Sequence, residues 1–354
     1  MPVISQRSVL GPSLTPWPAE VLNADSTPLR IGLINNMPDA ALEDTERQFF
    51  ELLQHASRDI RVDLKLYSLP GVPRSDRARQ HLDKFYLGLD ELLSSDCDAV
   101  IVTGTEPHSP DLKLEPYWES LTTVFDWAEH NTSSVVLSCL AAHASVFHYD
   151  SISRRRLGEK CFGVFEERKT CEHGLMQSLP ASIRIPHSRW NELSEDDLTQ
   201  AGYTVLTKSA EAGVNIFVKK HSKSLFVHFQ GHPEYERCTL LKEYRRDIKR
   251  FLRGERDTFP NVPAHYFSAP AVRSLGAYRE KAFASRSEDL LTQFPESNLL
   301  EALQKTWEPS ALTIYRNWLA YLESAKSRRA IQIEGAWLSE APSPSLNQGL
   351  SSEA

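Results

Sequence analysis

Short apolar runs alternate with longer amphipathic stretches through the first half of the chain, and this alternation predicts strands separated by helices. The predicted strands cover residues 29–34, 61–68 and 98–104, and a fourth begins at residue 135. The predicted helices cover residues 40–56, 81–93, 117–129 and 140–147. Strands and helices in this order are typical of a parallel sheet with helices on both faces, so we predict an α/β fold.

The pattern becomes mixed in the second half of the chain. Strands are predicted near residues 204–206, 214–219 and 225–229, and helices over residues 239–252, 297–305 and 311–325. We therefore predict four regions, namely a flexible leader rich in proline and serine, a main domain, a helical C-terminal extension and a disordered tail. These regions span residues 1–29, 30–268, 269–338 and 339–354.

A cysteine stands where the strand that begins at Val135 turns into a helix. At that position the positive end of the helix dipole favours the thiolate form of Cys139. The sharp turn also exposes the sulfur and leaves backbone N–H groups, such as that of Leu140, free to bind an oxyanion. These features predict a nucleophile at the carboxyl edge of the sheet, where Asn35 and Gly104 also end predicted strands.

A histidine and a glutamate follow the last predicted strand in the segment Gly231-His232-Pro233-Glu234-Tyr235. Pro233 holds the chain extended, and residues two apart in an extended segment point the same way. Glu234 can therefore fix the tautomer of His232 while the other ring nitrogen faces the thiol. The pair predicts a base and the group that orients it.

Two other interpretations of these residues stay open. A free cysteine after an apolar strand is often a core residue, in which case Cys139 would have no chemistry. His143 is a rival base because it lies one helical turn after Cys139 on the same helix face. A side chain inside the helix would point along its flank, however, which favours His232 as the base.

The composition is that of a soluble globular protein. Of its 354 residues 41% are hydrophobic and 25% are charged, and the formal net charge of −7 argues against nucleic-acid binding. The longest apolar stretch, residues 135–147, is too short to cross a membrane, and no secretory signal pattern is visible. Five cysteines at irregular spacing favour a reducing cytoplasm. We predict no metal site, because Cys171-Glu172-His173 has no second ligand pair.

Several motifs in fixed order resemble the homoserine O-succinyltransferase family, the acyltransferases that activate homoserine for methionine synthesis. Besides the turn at Cys139 and the segment at His232, the resemblance rests on Ile34-Asn35-Asn36-Met37-Pro38, Glu43-Asp44-Thr45-Glu46-Arg47-Gln48-Phe49, Val102-Thr103-Gly104, Glu159-Lys160-Cys161-Phe162-Gly163-Val164, Pro186-His187-Ser188-Arg189 and Arg246. It covers about residues 30–268, and residues 314–322 look like the family's closing helix.

The resemblance implies a fold similar to class I glutamine amidotransferases, which is a flavodoxin-like sandwich, and a homodimer. It implies that Cys139 carries the acyl group, that His232 is the general base and that Glu234 orients it. It further implies that Lys160, Ser188 and Arg246 bind substrate, although by themselves Lys160 and Arg246 would be surface charges and Ser188 a loop hydroxyl. Acyl-CoA would be a co-substrate, with no other cofactor, and Leu140 with a donor near Asn35 or Gly104 would hold the oxyanion.

The chain departs from the family at the position associated with donor choice, where glycine accompanies succinyl and glutamate accompanies acetyl. Residue counting places His108 there, and a shifted count would place Glu106 there. An insertion over residues 268–309 leaves open whether the acceptor is homoserine or a related hydroxy amino acid. Two other functions stay open, namely a glutaminase or peptidase that uses the same three residues and a dimeric scaffold without activity.

Overall fold

The computed structural model describes residues 3–5 and 27–340, which form an α/β fold built on two sheets. The strands of this part are, in chain order, β1 (Val3–Ser5), β2 (Leu29–Ile34), β3 (Val62–Tyr67), β4 (Ala99–Val102), β5 (Ser134–Ser138), β6 (Arg155–Lys169), β7 (Ser182–Glu192), β8 (Thr204–Val205), β9 (Thr207–Ser209), β10 (Gly213–Val214), β11 (Ile216–His221) and β12 (Ser224–Phe229).

The helices of the same part flank the two sheets. They are α1 (Asp39–Ser57), α2 (Asp76–Phe85), α3 (Leu89–Leu93), α4 (Trp118–Asn131), α5 (Leu140–Asp150), α6 (Glu195–Gln200), α7 (Thr239–Leu252), α8 (Ala269–Ala284), α9 (Glu296–Ala302) and α10 (Glu308–Glu340). Short 3-10 turns occur at Leu112–Leu114, Gly174–Met176 and Glu288–Gln293. No helix among the residues described here is both long enough and apolar enough to span a membrane.

The larger sheet has the strand order β1-β3-β2-β4-β5-β12-β11-β8 within the described ranges. Strands β1 to β5 and β12 run parallel, whereas β11 and β8 complete the sheet as antiparallel strands. Helices α1 and α10 pack on one face and α4 and α5 on the other, so the central strands are buried on both sides. The predicted α/β fold with helices on both faces is confirmed.

The second sheet is antiparallel, with the order β10-β9-β6-β7 in the described part, and the sequence patterns did not predict its two long strands. Its strand β6 packs Phe162 and Val164 against α7, and the helices of the C-terminal extension cover the same core. Trp307 is fully buried there, and its Nε1 donates to the carbonyl of Tyr235 at 2.9 Å. The C-terminal extension therefore supports the loop that carries His232.

Two predicted elements differ from the structure. The predicted helix over residues 81–93 is two helices, because the chain extends at Leu87 to form a bridge with Tyr67. The predicted strand over residues 214–219 divides at Asn215, which lies between β10 and β11.

The terminal regions also differ from the prediction where the structure describes them. Val3–Ser5 in the predicted flexible leader forms a strand, since it pairs with the edge of β3. The rest of the leader up to residue 26, and the predicted tail beyond residue 340, lie outside the described residues.

Candidate active site

Cys139 occupies a strained turn between β5 and α5. Its backbone has φ 52° and ψ −109°, a conformation that residues with a side chain adopt only when the surrounding structure holds them there. Here the backbone N–H of Cys139 donates to the carbonyl of Phe229 at 2.7 Å, which ties the turn to the end of β12. The half-buried thiol thus lies at the N-terminus of α5, the position that the sequence predicts.

The loop after β12 reaches the same place, because β12 runs parallel to β5 with Phe229 opposite Ser138. His232 in this loop is buried, and its Nδ1 lies 2.8 Å from Oε1 of Glu234. The other ring nitrogen is therefore left to face Cys139, which is near enough to contribute to the raised pKa of His232. Residues 93 positions apart in the chain are brought together by the pairing of two adjacent strands.

The surroundings of His232 favour its charged form. Burial by itself would lower the pKa of the ring, but the carboxylate of Glu234 and the hydrogen bond with Cys139 raise that pKa to about 10. The ring of Tyr235 also stacks on the imidazole, with centroids 4.3 Å apart and planes inclined by 16°. The structure therefore supports an imidazolium beside the sulfur of Cys139.

His143, the rival base, faces away from this pair. Its Nε2 lies 2.9 Å from Oε1 of Gln230, and it is buried inside α5. Burial lowers the pKa of His143 to about 3, so the ring is neutral across the physiological range. The structure leaves His143 a role in packing and hydrogen bonding.

The backbone N–H of Leu140 lies directly after Cys139, at the start of α5. Leu140 is the first residue of α5, so its N–H has no partner within the helix. Gly104 approaches it closely, since a Cβ atom on Gly104 would lie 2.9 Å from the nitrogen of Leu140. Asn35 does not fit the predicted donor role, because its backbone N–H donates to Tyr67 and its side-chain amide donates to Leu42 and Tyr86.

The predicted substrate-binding residues meet at a carboxylate that the sequence analysis did not single out. Glu243 on α7 accepts hydrogen bonds from Ser188 and from Tyr235, the latter at 2.7 Å, and its Oε2 lies 3.3 Å from Nζ of Lys160. Burial by itself would raise the pKa of Glu243, but Lys160 and the two hydroxyl groups lower it below its ordinary value. The carboxylate is therefore ionised, and Lys160 is not a surface charge.

Arg246 lies on the same helix, one turn after Glu243, and its guanidinium is 3.3 Å from Oδ1 of Asp247. Arg250, a further turn along, lies 3.6 Å from Oε1 of Glu106. The side chain of Glu106 is 60% exposed and that of His108 is 72% exposed, and His108 lies beside Glu115 at 3.8 Å. Of the two candidate positions for donor choice, Glu106 is the one that contacts α7.

The sequence did not predict that Glu243 and Tyr235 belong to the site. Their role arises from contacts with residues up to 83 positions away, and Glu243 lies within an amphipathic helix that contains several charges. Tyr235 adjoins the segment at His232 and could have been examined, because an aromatic ring beside a candidate base shapes its environment.

At the one pair considered for a metal, Nδ1 of His173 accepts from the backbone N–H of Leu175 at 3.2 Å. Among residues 27–329, where side chains are described, no group of three or more His, Cys, Asp or Glu side chains could hold a metal ion.

Comparison with known proteins gives a consistent result. The family model described as Homoserine O-succinyltransferase matches residues 18–328 of this chain. A homoserine O-succinyltransferase of Rhodopseudomonas palustris is 45% identical over 296 residues, covering 84% of this chain and 89% of that protein. A protein of the same name from Methylorubrum extorquens is 45% identical, covering 86% of this chain and 89% of that protein. Another from Bradyrhizobium japonicum is 42% identical, covering 89% of this chain and 97% of that protein.

Similarity to solved structures is weaker. A glutamine amidotransferase from Thermotoga maritima is 14% identical with a TM-score of 0.44, covering 84% of this chain and 99% of that one. A glutamine amidotransferase from Methylobacillus flagellatus is 13% identical with a TM-score of 0.43, covering 83% and 94%. Similarities at this level do not bear on function.

Proposed function

Because this chain belongs to the homoserine O-succinyltransferase family, and is thus an acyltransferase, we propose that it transfers an acyl group from acyl-CoA to the side-chain hydroxyl of L-homoserine or a related hydroxy amino acid. The transfer would proceed through a thioester on Cys139 and would serve methionine biosynthesis. The observation that carries the proposal is the strained Cys139 turn beside His232 and Glu234.

In the first step the thiolate of Cys139 attacks the thioester carbonyl of the donor. A bond forms between the sulfur of Cys139 and the acyl carbon, the bond from that carbon to the sulfur of CoA breaks, and CoA leaves with a proton from His232. The N–H of Leu140 stabilises the oxyanion that develops between these events. The exchange of one thioester for another is nearly isoenergetic, so the step is readily reversible.

Acylation then converts His232 into a base. The pKa of its ring is about 10 because burial is outweighed by Glu234 and Cys139, and a thioester removes the negative charge on Cys139. The pKa of His232 consequently falls, and the neutral ring takes the proton of the acceptor hydroxyl. The acceptor oxygen attacks the acyl carbon, the bond to Cys139 breaks, and the thiolate and imidazolium are restored.

The acceptor is a zwitterion, and α7 presents charges of both signs to it. Arg246 suits the carboxylate of the acceptor because a guanidinium can engage both oxygens. The ionised Glu243 suits the ammonium group, and Ser188 donates to the same carboxylate. Lys160, whose cation pairs with Glu243, suits a carboxylate of either substrate. Tyr235 joins the two parts of the site, since it stacks on His232 and donates to Glu243.

The donor is proposed to be succinyl-CoA, which is the donor implied by the name of the relatives, with acetyl-CoA as the alternative. Arg250 and Arg246 provide positive charge near Glu106, and a second carboxylate on the acyl chain would be attracted to them. His108 remains a candidate for donor choice on the resemblance alone.

We further propose a cytoplasmic homodimer that uses no cofactor apart from acyl-CoA and binds neither nucleic acid nor a membrane. The net charge of −7 and the resemblance to the family support this proposal. Light scattering after size exclusion would test the dimer, and a monomer mass at working concentration would refute it.

The decisive test is acyl transfer by variants of the two central residues. Incubation of the wild type with succinyl-CoA alone should add one acyl group to Cys139, detected by mass spectrometry of the peptide. Cys139→Ser and His232→Ala should each reduce CoA release in the presence of homoserine by about 1000-fold or more. Cys171→Ser, which changes a half-buried thiol far along the chain, is the matched control and should keep the wild-type rate.

Rates that survive either change at the active site would refute the mechanism. Hydrolysis of glutamine with a glutaminyl adduct on Cys139, and no transfer from any acyl-CoA, would favour the amidotransferase alternative instead.

A further inference from the structure

A buried carboxylate lies behind the loop that carries His232, in the second sheet. Glu167 on β6 has no exposed surface, and its Oε1 lies 2.8 Å from Nε2 of His187. Its Oε2 accepts from Oγ1 of Thr207 at 2.7 Å and from Nδ2 of Asn215 at 2.9 Å. We call these four residues, Glu167, His187, Thr207 and Asn215, the Glu167 cluster; none of them is among the residues proposed to react or to bind substrate.

The cluster is connected directly to the peptide that precedes His232. Oδ1 of Asn215 accepts from the backbone N–H of Gly231 at 2.6 Å. The N–H of His232 itself donates to the carbonyl of Pro186 at 2.8 Å, one residue before His187. A Cβ atom on Gly231 would lie 2.9 Å from Nε2 of His187, so the loop rests against the ring. Two successive N–H groups of the loop are thus held, one by Asn215 and the other by strand β7 of the second sheet.

The hydrogen bonds of the cluster fix the direction of each polar group. Nε of Arg189 donates to Nδ1 of His187 at 3.3 Å, so Nε2 is the nitrogen that carries the hydrogen donated to Glu167. With Nδ2 donating to Glu167, the side chain of Asn215 must present its oxygen to Gly231. The carboxylate therefore determines which atom of Asn215 meets the loop.

A buried carboxylate of this kind is costly, and apolar packing in its place would often be at least as stable. The three hydrogen bonds that Glu167 accepts offset this cost, and a fully satisfied buried network fixes the geometry of its members. The proposed mechanism needs the ring of His232 within hydrogen-bonding distance of Cys139, and that ring position depends on the backbone at Gly231.

We propose that Glu167 and Asn215 are positioning residues, which set the backbone at Gly231 so that the ring of His232 faces the sulfur of Cys139. This inference rests on the proposed role of His232. It predicts that damage to the cluster acts on the reactivity of Cys139 while leaving the acceptor site intact, since Ser188 points from β7 to the opposite side, toward Glu243.

The test compares Asn215→Ala and Glu167→Gln with the wild type. The first removes the acceptor for the N–H of Gly231, and the second disturbs the orientation of His187 and Asn215. Each should lower kcat per folded enzyme roughly 10 to 100-fold, as expected for a misplacement of up to about 1 Å, with KM for homoserine changed less than about threefold. Thr132→Val, which removes a hydroxyl equally buried in another part of the core, is the control and should leave kcat unchanged.

A second readout does not depend on acyl transfer. The rate at which iodoacetamide alkylates Cys139 depends on pH through the thiolate and imidazolium pair, so its pH profile should shift upward in both variants. This measurement stays valid if no acyl donor is ever found, which separates a failure of this inference from a failure of the proposed function.

Variants of Thr207 keep the test decisive if the other variants fold poorly. Thr207→Ser retains the hydroxyl that donates to Glu167 and should behave as the wild type. Thr207→Val should lose less kcat than Asn215→Ala or Glu167→Gln, and its alkylation profile should shift in the same direction as theirs. Lower thermal stability with wild-type kcat and a wild-type alkylation profile in all variants would overturn the inference, since the cluster would then serve folding alone.

Discussion

Replacing Gly104 by alanine should block the oxyanion site, because the added Cβ would press on the backbone of Leu140. The added Cβ would lie 2.9 Å from the nitrogen of Leu140, 3.0 Å from its Cβ and 3.2 Å from the carbonyl oxygen of Ser138. Ordinary contacts lie near 3.5 Å, so Leu140 would have to move by about 0.5 Å, and the methyl group would cover its N–H. Gly104 has no left-handed φ, unlike Gly71 and Gly163, so the change acts through space alone.

The expected loss is that of one oxyanion donor. Removal of such a donor typically lowers kcat by about 100 to 1000-fold, or about 3 to 4 kcal/mol of transition-state stabilisation. Both steps of the proposed mechanism pass through an oxyanion at the same carbon, so acylation and transfer should slow together. A burst of CoA release in a stopped-flow experiment measures the acylation step. Steady-state CoA release with homoserine measures the complete cycle of acylation and transfer.

The matched control is Gly276→Ala on α8, where a Cβ atom meets nothing within 4 Å. This variant should keep the wild-type rates, and its stability should be unchanged or slightly higher because alanine favours a helix. If Gly104→Ala acylates at the wild-type rate while its fold is intact, the N–H of Leu140 does not bind the oxyanion, and that part of the mechanism is wrong.

Three further outcomes follow from contacts around the site. Glu106→Gln should raise the ratio of kcat/KM for succinyl-CoA to that for acetyl-CoA several-fold, since a negative charge near Arg250 is removed. His108→Ala should leave this ratio unchanged. The same ratio in Glu106→Gln and the wild type would refute the role of Glu106. Alkylation of Cys139 should lower the pKa of His232 from about 10, because the thiolate no longer offsets burial, and an unchanged NMR titration would contradict this. Trp307→Phe should cost about 1 to 3 kcal/mol of unfolding free energy in urea, by leaving the Tyr235 carbonyl unpaired; an unchanged midpoint would show that this bond contributes nothing.

The sequence predicted the parallel part of the fold because its strands are buried on both faces and read as apolar runs. Ile101 and Val136, for example, lie in strands whose residues are all buried. The long strand β6 escaped prediction since its first half is largely exposed and shows no alternation of apolar and polar residues. Residues 155–169 form a strand because they pair with β7, and the local pattern of apolar and polar residues does not predict this pairing.

The residues of the candidate site also differ in whether the sequence could predict them. Cys139 and His232 could be singled out because each follows an apolar strand at a turn. Glu167 and Asn215 could not, since their function depends on hydrogen bonds to one another and to Gly231, across 48 and 16 positions. Asn215 also divides the strand predicted over residues 214–219. The strand is divided there because the side chain and the carbonyl of Asn215 both accept hydrogen bonds from the loop before His232.

Strand β7 carries three consecutive residues with different partners. The carbonyl of Pro186 accepts from His232, the ring of His187 binds Glu167, and the hydroxyl of Ser188 binds Glu243. Because neighbouring side chains of a strand face opposite ways, a deletion of one residue here would exchange the two faces. We therefore expect a one-residue deletion or insertion within this strand to abolish activity, even where the individual amino acids could be changed.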